Sequence, residues 1–171
     1  MRHRRTTAAG LLLALALGSL AFQCGGGGGG SSSQPESVRT AARAADAIAG
    51  SIKEMTTVKR ELARQGTLTP DEELRLTQTL LRLNTADKAF VRRLKSLNGV
   101  PDASGRAELL AMFNEVTAAL DDLNTNGVLG VSNQGARDRL GIIVNTLRGS
   151  VQIIQTFVQS QNRGTDANAN N

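Results

Sequence analysis

The sequence predicts an all-α protein, an up-down four-helix bundle carried behind a Gly/Ser tether. Three observations lead there. Apolar residues between about residue 37 and residue 161 recur at steps of three and four, the period of a helix with one buried face. No stretch alternates with period two for long enough to form a strand. Short polar, Gly- or Pro-containing links divide the periodic region into four segments, and short links make consecutive helices antiparallel neighbours.

The first helix is expected from Ser37 to Gln65, with Val38, Ala41, Ala45, Ile48, Ile52, Met55, Val58 and Leu62 on one face. Gly66 should end it, because glycine accepts the left-handed conformation that follows a helix C-cap. The second helix has the clearest start in the chain, TPDEE. Thr69 can act as N-cap, Pro70 suits the first helical position, and Glu72 completes a capping box. Asp71 and Glu73 place negative charge at the positive end of the helix dipole. Leu76, Leu80, Leu83, Phe90, Leu94 and Leu97 line its inner face, with Ala86 bridging Leu83 to Phe90, until NGVPD stops it. By this register Asp87 falls beside the apolar seam and is expected to turn outward, since an unpaired acid is costly to bury.

The third helix is expected from about Ser104 to Leu123, burying Leu109, Met112, Phe113, Val116, Leu120 and Leu123. NTNGVLGVSN then reads as a turn-rich loop whose Val128, Leu129 and Val131 plug one end of the bundle. The fourth helix, from about Asn133 to Gln161, buries Ala136, Leu140, Ile143, Val144, Leu147, Val151, Ile154 and Val158. Residual heptad character also permits a coiled-coil hairpin or an oligomeric bundle.

The N-terminus carries an address. Arg2, Arg4 and Arg5 precede a short apolar run from Ala8 to Phe22, the order of parts in a secretory signal peptide, and the run falls short of the ~20 residues that cross a bilayer. The single cysteine, Cys24, follows, and behind it come Gly25 to Gly30 and Ser31 to Ser33. Signal, cysteine and Gly/Ser spacer in this order resemble the N-termini of bacterial lipoproteins. The resemblance implies that residues 1–23 are removed, that Cys24 becomes the acylated first residue, and that residues 24–36 form a tether. It also implies a membrane-anchored place in the cell envelope, and Gly25 after the cysteine implies the outer membrane. Ser19-Leu20-Ala21 offers an alternative cleavage after Ala21, which would release a soluble secreted protein. Residues 162–171 are polar, without large apolar groups, and are expected to be disordered.

Charge argues against nucleic acid as a partner. The full chain carries +5, but losing the three arginines of the signal leaves 17 basic residues against 15 acidic, or +2. Arg92-Arg93 and Lys59-Arg60 have no aromatic stacking partners beside them and read as solvated faces.

The residue inventory argues against most catalysis. Beyond the signal there is no histidine, and the chain has neither tyrosine nor tryptophan. Ser-His and Cys-His nucleophile pairs, histidine-containing metal sites and the Glu-x-x-His di-iron pattern are therefore excluded from the mature chain. Gly25 to Gly30 lacks the Lys-Ser/Thr of a phosphate-cradling loop. Asp71-Glu72-Glu73 is explained as a helix cap and Asp121-Asp122 as a solvated pair, so no metal, no cofactor and no catalytic residue is expected.

The fourth helix carries the functional expectation. At 100° per residue its apolar residues cover about half its circumference, wider than the ~100° stripe that faces one core. Gly149 through Asn162 hold no charge, and Gly141 and Gly149 leave room for close backbone approach. Either the fourth helix is simply the most central helix, or Ile142, Ile153 and Phe157, flanked by Gln152, Gln155 and Gln159, form a contact face for a protein partner or a second copy. These features favour a non-enzymatic, lipid-anchored interaction or structural module; the alternative is an exported carrier that holds an apolar ligand between its helices.

Overall fold

The computed structural model describes residues 35–97 and 101–163. Four helices account for nearly all of them: α1 (Glu36–Arg64), α2 (Pro70–Lys95), α3 (Ala103–Asp122) and α4 (Gln134–Arg163). Each helix packs against its neighbours in sequence, and α1 closes the ring against α4, while the backbones of the diagonal pairs stay more than 8 Å apart between Cα atoms. Ion pairs fix the directions. Arg139 at the start of α4 meets Glu61 at the end of α1, and Arg93 late in α2 meets Glu108 early in α3. The result is the antiparallel four-helix bundle that the periodicity predicts.

Local chemistry sets the ends. Gly66 takes φ +67° after α1. Its N–H donates to Ala63 O and the Thr67 N–H donates to Leu62 O, each at 3.0 Å, which is the Schellman arrangement that satisfies the last carbonyls. Thr69 and Glu72 form the capping box at the start of α2, with Pro70 in the first turn. Asp102 caps α3 by accepting from the Gly105 N–H at 2.7 Å, and Asn133 caps α4 by accepting from Ala136 N–H at 2.9 Å.

The core follows a strict heptad. Along α1 the central seam runs Val38, Ala41, Ala45, Ile48, Ile52, Met55, Lys59, Leu62, with Ala44 and Ser51 buried beside it; along α2 it runs Leu76, Leu80, Leu83, Asp87, Phe90, Leu94, with Glu72 and Thr79 buried beside it. Along α4 the seam runs Ala136, Leu140, Ile143, Leu147, Ser150, Ile154, Phe157. These steps alternate between three and four without a break, which is knobs-into-holes spacing. Phe90 meets Phe113 of α3 with ring centroids 6.3 Å apart in a tilted pair.

Three expectations are corrected here. The stretch after α3 is not an open loop: Leu123–Val128 continue the helix as a π-helical turn, closed by Leu129 N–H donating to Asn124 O at 2.9 Å. Wider winding puts Leu123 and Val128 into the core, and Val131 is buried just beyond the turn, whereas Leu129 points out and is 55 % exposed. Gly127 permits this course, because a Cβ there would lie 3.0 Å from Thr79 Oγ1 and 3.3 Å from methyls of Leu76 and Leu123. Asp87, expected to face outward, is buried, because the heptad phase set by Leu80, Leu83, Phe90 and Leu94 passes through position 87. Phe157 is buried as well. It stands three residues after Ile154 on the α4 seam, so its ring turns toward the first turn of α1.

Candidate interaction face

With Phe157 withdrawn into the core, the outer surface of α4 is narrower than its sequence suggests. Ile142 and Ile153 remain on it, 67 % and 49 % exposed. They are eleven residues apart, so they project within about 20° of one another and about 16 Å apart along the helix. Gln152, Gln155 and Gln159 are exposed as expected. Between the two isoleucines lie Asn145, Thr146 and Gly149, all exposed and uncharged. A side chain at Gly141 or Gly149 would place its Cβ with nothing within 4 Å, so neither glycine is demanded by packing inside the monomer.

Ile142 is continuous with a shallow groove where α4 passes the π-helical turn. Leu129, Val128, Gly141 and Asn145 line it, with Arg137 and Asp138 on its rim. At the other end of the face, Ile153 adjoins a groove against Glu36, Ser37 and Thr40 of α1. A second exposed apolar pair, Leu74 and Leu81 on α2, was not singled out by sequence reasoning; its spacing of seven residues on one helix face is the signal that marks it. Leu81 borders a groove of about 440 Å³ between α2 and α3, lined also by Ala86, Ala89 and Met112.

Two buried carboxylates complete the set of unusual groups. Glu72 is the hub of one end of the bundle. Its Oε2 accepts from Thr69 N–H at 2.8 Å, and its Oε1 accepts from Ser132 N–H at 2.8 Å and from the Ser132 hydroxyl. The Ser132 hydroxyl above all, then the Thr69 and Ser132 N–H groups, hold its pKa down at about 2. Sequence reasoning found the cap but not the clasp to Ser132, sixty residues away. Its neighbour Glu73 lies 3.5 Å from Lys59, which, expected on a solvated face, is instead buried at a heptad core position because the phase through Met55 and Leu62 claims it, and there it also donates to Thr77 Oγ1 at 2.6 Å.

Asp87 is the opposite case. Its side chain is buried and its Oδ1 has no hydrogen-bond partner. Burial, with the Asp46 charge on α1 adding to it and Lys88 opposing, pushes its pKa up to about 6.

Among the described residues, no three of His, Cys, Asp and Glu converge as metal ligands, and no helix is long and apolar enough to cross a membrane. Cys24, the signal, the tether from 24 to 34 and the tail from 164 lie outside the described residues. No family model matches the chain, and neither a curated protein nor a solved structure is similar to it.

Proposed function

We propose that this protein is a non-enzymatic interaction module of the bacterial cell envelope, anchored through lipid on Cys24, with the outer face of α4 as its contact surface for a protein partner or a second copy. The observation that carries this reading is the pair Ile142 and Ile153, exposed on one side of a helix with the uncharged Asn145, Thr146 and Gly149 between them on that side, while Arg148 projects about 120° away. Exposed apolar groups aligned without charge are what interface centres share, while a purely solvated helix face carries Lys and Glu. The open space over Gly149 lets another backbone come close to the same strip. The anchor rests on the sequence alone, on the order of signal, cysteine and spacer. Two acyl chains give stable attachment where one is marginal.

The test is Ile153→Glu in the full chain. Ile153 is half exposed, so the monomer should keep its fold and lose less than about 1 kcal/mol. Sedimentation and in-cell crosslinking should then show self-association or partner capture reduced at least tenfold. Undiminished association by a folded variant would refute the α4 face. Intact mass of the native protein checks the anchor: a diacylated N-terminal Cys24 is expected, and an unmodified N-terminus at Phe22 would overturn it.

A further inference from the structure

Along the seam of α1 and α2, away from the outer face of α4, Asp87 lies at the floor of a groove of about 360 Å³. Asp46 and Ala49 form the α1 side; Asn84, Thr85, Lys88, Val91 and Arg92 belong to α2. We propose that this groove binds a small aliphatic amine, with the ammonium seated between the carboxylates of Asp87 and Asp46 and the hydrocarbon against Ala49 and Val91.

Three observations bear on it. Asp87 is 1 % exposed, its buried Oδ1 accepts no hydrogen bond, and the residue lines the groove, so the carboxyl beneath the groove lacks a donor. A buried carboxylate in that state is costly until a donor reaches it. The second carboxylate, Asp46, comes from the facing helix and repels the first, so a cation between them relieves both. A compact ammonium brings three donors, and Asp87, Asp46 and the Asn84 side-chain oxygen supply three acceptors of the right kind. Lys88 and Arg92 lie on the solvent side of the same groove, and their charges disfavour a divalent ion more than a singly charged amine.

Binding of this kind depends on pH through Asp87, whose carboxyl is held up near 6 by burial and Asp46. The charged groups around it are Asp46 from α1 and Lys88 and Arg92 from its own helix. From α3, Glu108 is engaged by Arg93, and Glu115 lines the separate groove on the other flank of α2.

The experiment is an NMR titration of the full mature chain at pH 7.5 with n-butylamine, n-butanol and butyrate in turn. Only n-butylamine should saturate, at about millimolar concentration as suits a five-atom ligand, moving the amide signals of Ala49, Asn84 and Asp87 together. Its affinity should fall about tenfold per pH unit below pH 6 as Asp87 takes up its proton. Asp87→Asn should keep the helical spectrum and lose the binding. Asp46→Asn, at an exposed position, is the second variant and should weaken binding severalfold whether or not Asp87→Asn folds. Equal saturation by n-butanol, unchanged n-butylamine binding in either variant, or no saturable shift would overturn the proposal.

Discussion

Glu72 and Asp87 sit on the same helix, both buried, and their environments drive them in opposite directions. Glu72 faces the linker before α4 and collects donors from two segments, Thr69 and Ser132. Asp87 sits four turns further along α2, where the neighbouring positions of its seam are Leu83 and Phe90 and the nearest charge on α1 is another acid. One carboxyl is held near 2 and the other raised to about 6. Both side chains are shielded from solvent, but Glu72 lies at the end of the bundle among N–H and O–H donors while Asp87 lies deeper on the seam without any, so donor supply and desolvation together decide the sign. Lys59 follows the same rule: it too occupies a heptad core position, and Glu73 and Thr77 meet it.

The largest expected effect breaks the Glu72 side. Glu72→Ala removes bonds from Thr69 N–H, Ser132 N–H and the Ser132 hydroxyl, each worth about 1.5–3 kcal/mol to a charged acceptor, and because the freed donors at the bundle end regain water the net cost should be about 3 kcal/mol. Urea unfolding measures it, and a loss below about 1 kcal/mol would mean the clasp adds nothing to an ordinary cap. Asp87→Leu should move stability the other way. Replacing a buried, unpaired carboxylate by an apolar group of similar reach is expected to stabilise by about 2 kcal/mol at pH 7.5. A destabilised Asp87→Leu would show that the carboxyl is satisfied in solution.

The pH profile sharpens the contrast. Glu72 is lowered from its ordinary 4.5, so its contribution is complete above 4.5 and is lost as pH falls toward 2. Asp87 is raised from 3.8, so the folded state holds its proton more tightly than the unfolded chain, and stability is lost as pH rises from 3.8 through about 6. The urea midpoint should therefore be higher at pH 5 than at pH 7.5 and fall again toward pH 3. Asp87→Asn should flatten the alkaline flank alone, and Glu72→Gln the acid flank alone; a variant that moved the wrong flank would reverse the assignment.

The smallest effects compare packing in the two neighbourhoods. Gly127 is pressed against Thr79 and Leu76 near the Glu72 end, whereas Gly50, beside the Asp87 groove, has open space around it. Gly127→Ala should cost about 1 kcal/mol through overpacking, and Gly50→Ala should gain up to about 1 kcal/mol in helix propensity. Equal changes in the two thermal melts would show that the ends do not differ in tightness.

Much of the fold was legible in sequence because it is written in short-range chemistry. The Thr69–Glu72 box, Gly66 and the three-four spacing each act within a few residues, and all three stand where the pattern put them. The misreadings arose where a general preference was allowed to override phase. Placing Ala86 on the α2 seam avoided burying an acid, yet Leu83 to Phe90 is one heptad and its intermediate step is 87. On α4, counting every apolar residue widened the face, while the seam through Ile154 claims Phe157 and leaves Ile142 and Ile153 outside. The π-helical turn was hidden because Asn-Gly signals a turn as readily as it permits wide winding over a close neighbour. Nothing local announces that Ser132 closes on Glu72, since their meeting is made by the whole bundle.

That clasp also divides the molecule by how readily it opens. Glu72–Ser132, Lys59–Glu73, Arg139–Glu61 and Arg75 on Gly130 O all gather where α1 ends and α4 begins. Toward the opposite end, where α1 starts at Glu36 and α4 finishes, the described cross-links between helices reduce to Arg93–Glu108 and side-chain packing. Amide protons near Leu62, Leu76 and Leu140 should thus exchange only through global unfolding, and those near Val38 and Val158 through local fraying. A pull applied through residue 35 would enter at the fraying end and open α1 turn by turn, leaving the clasp as the last element to yield.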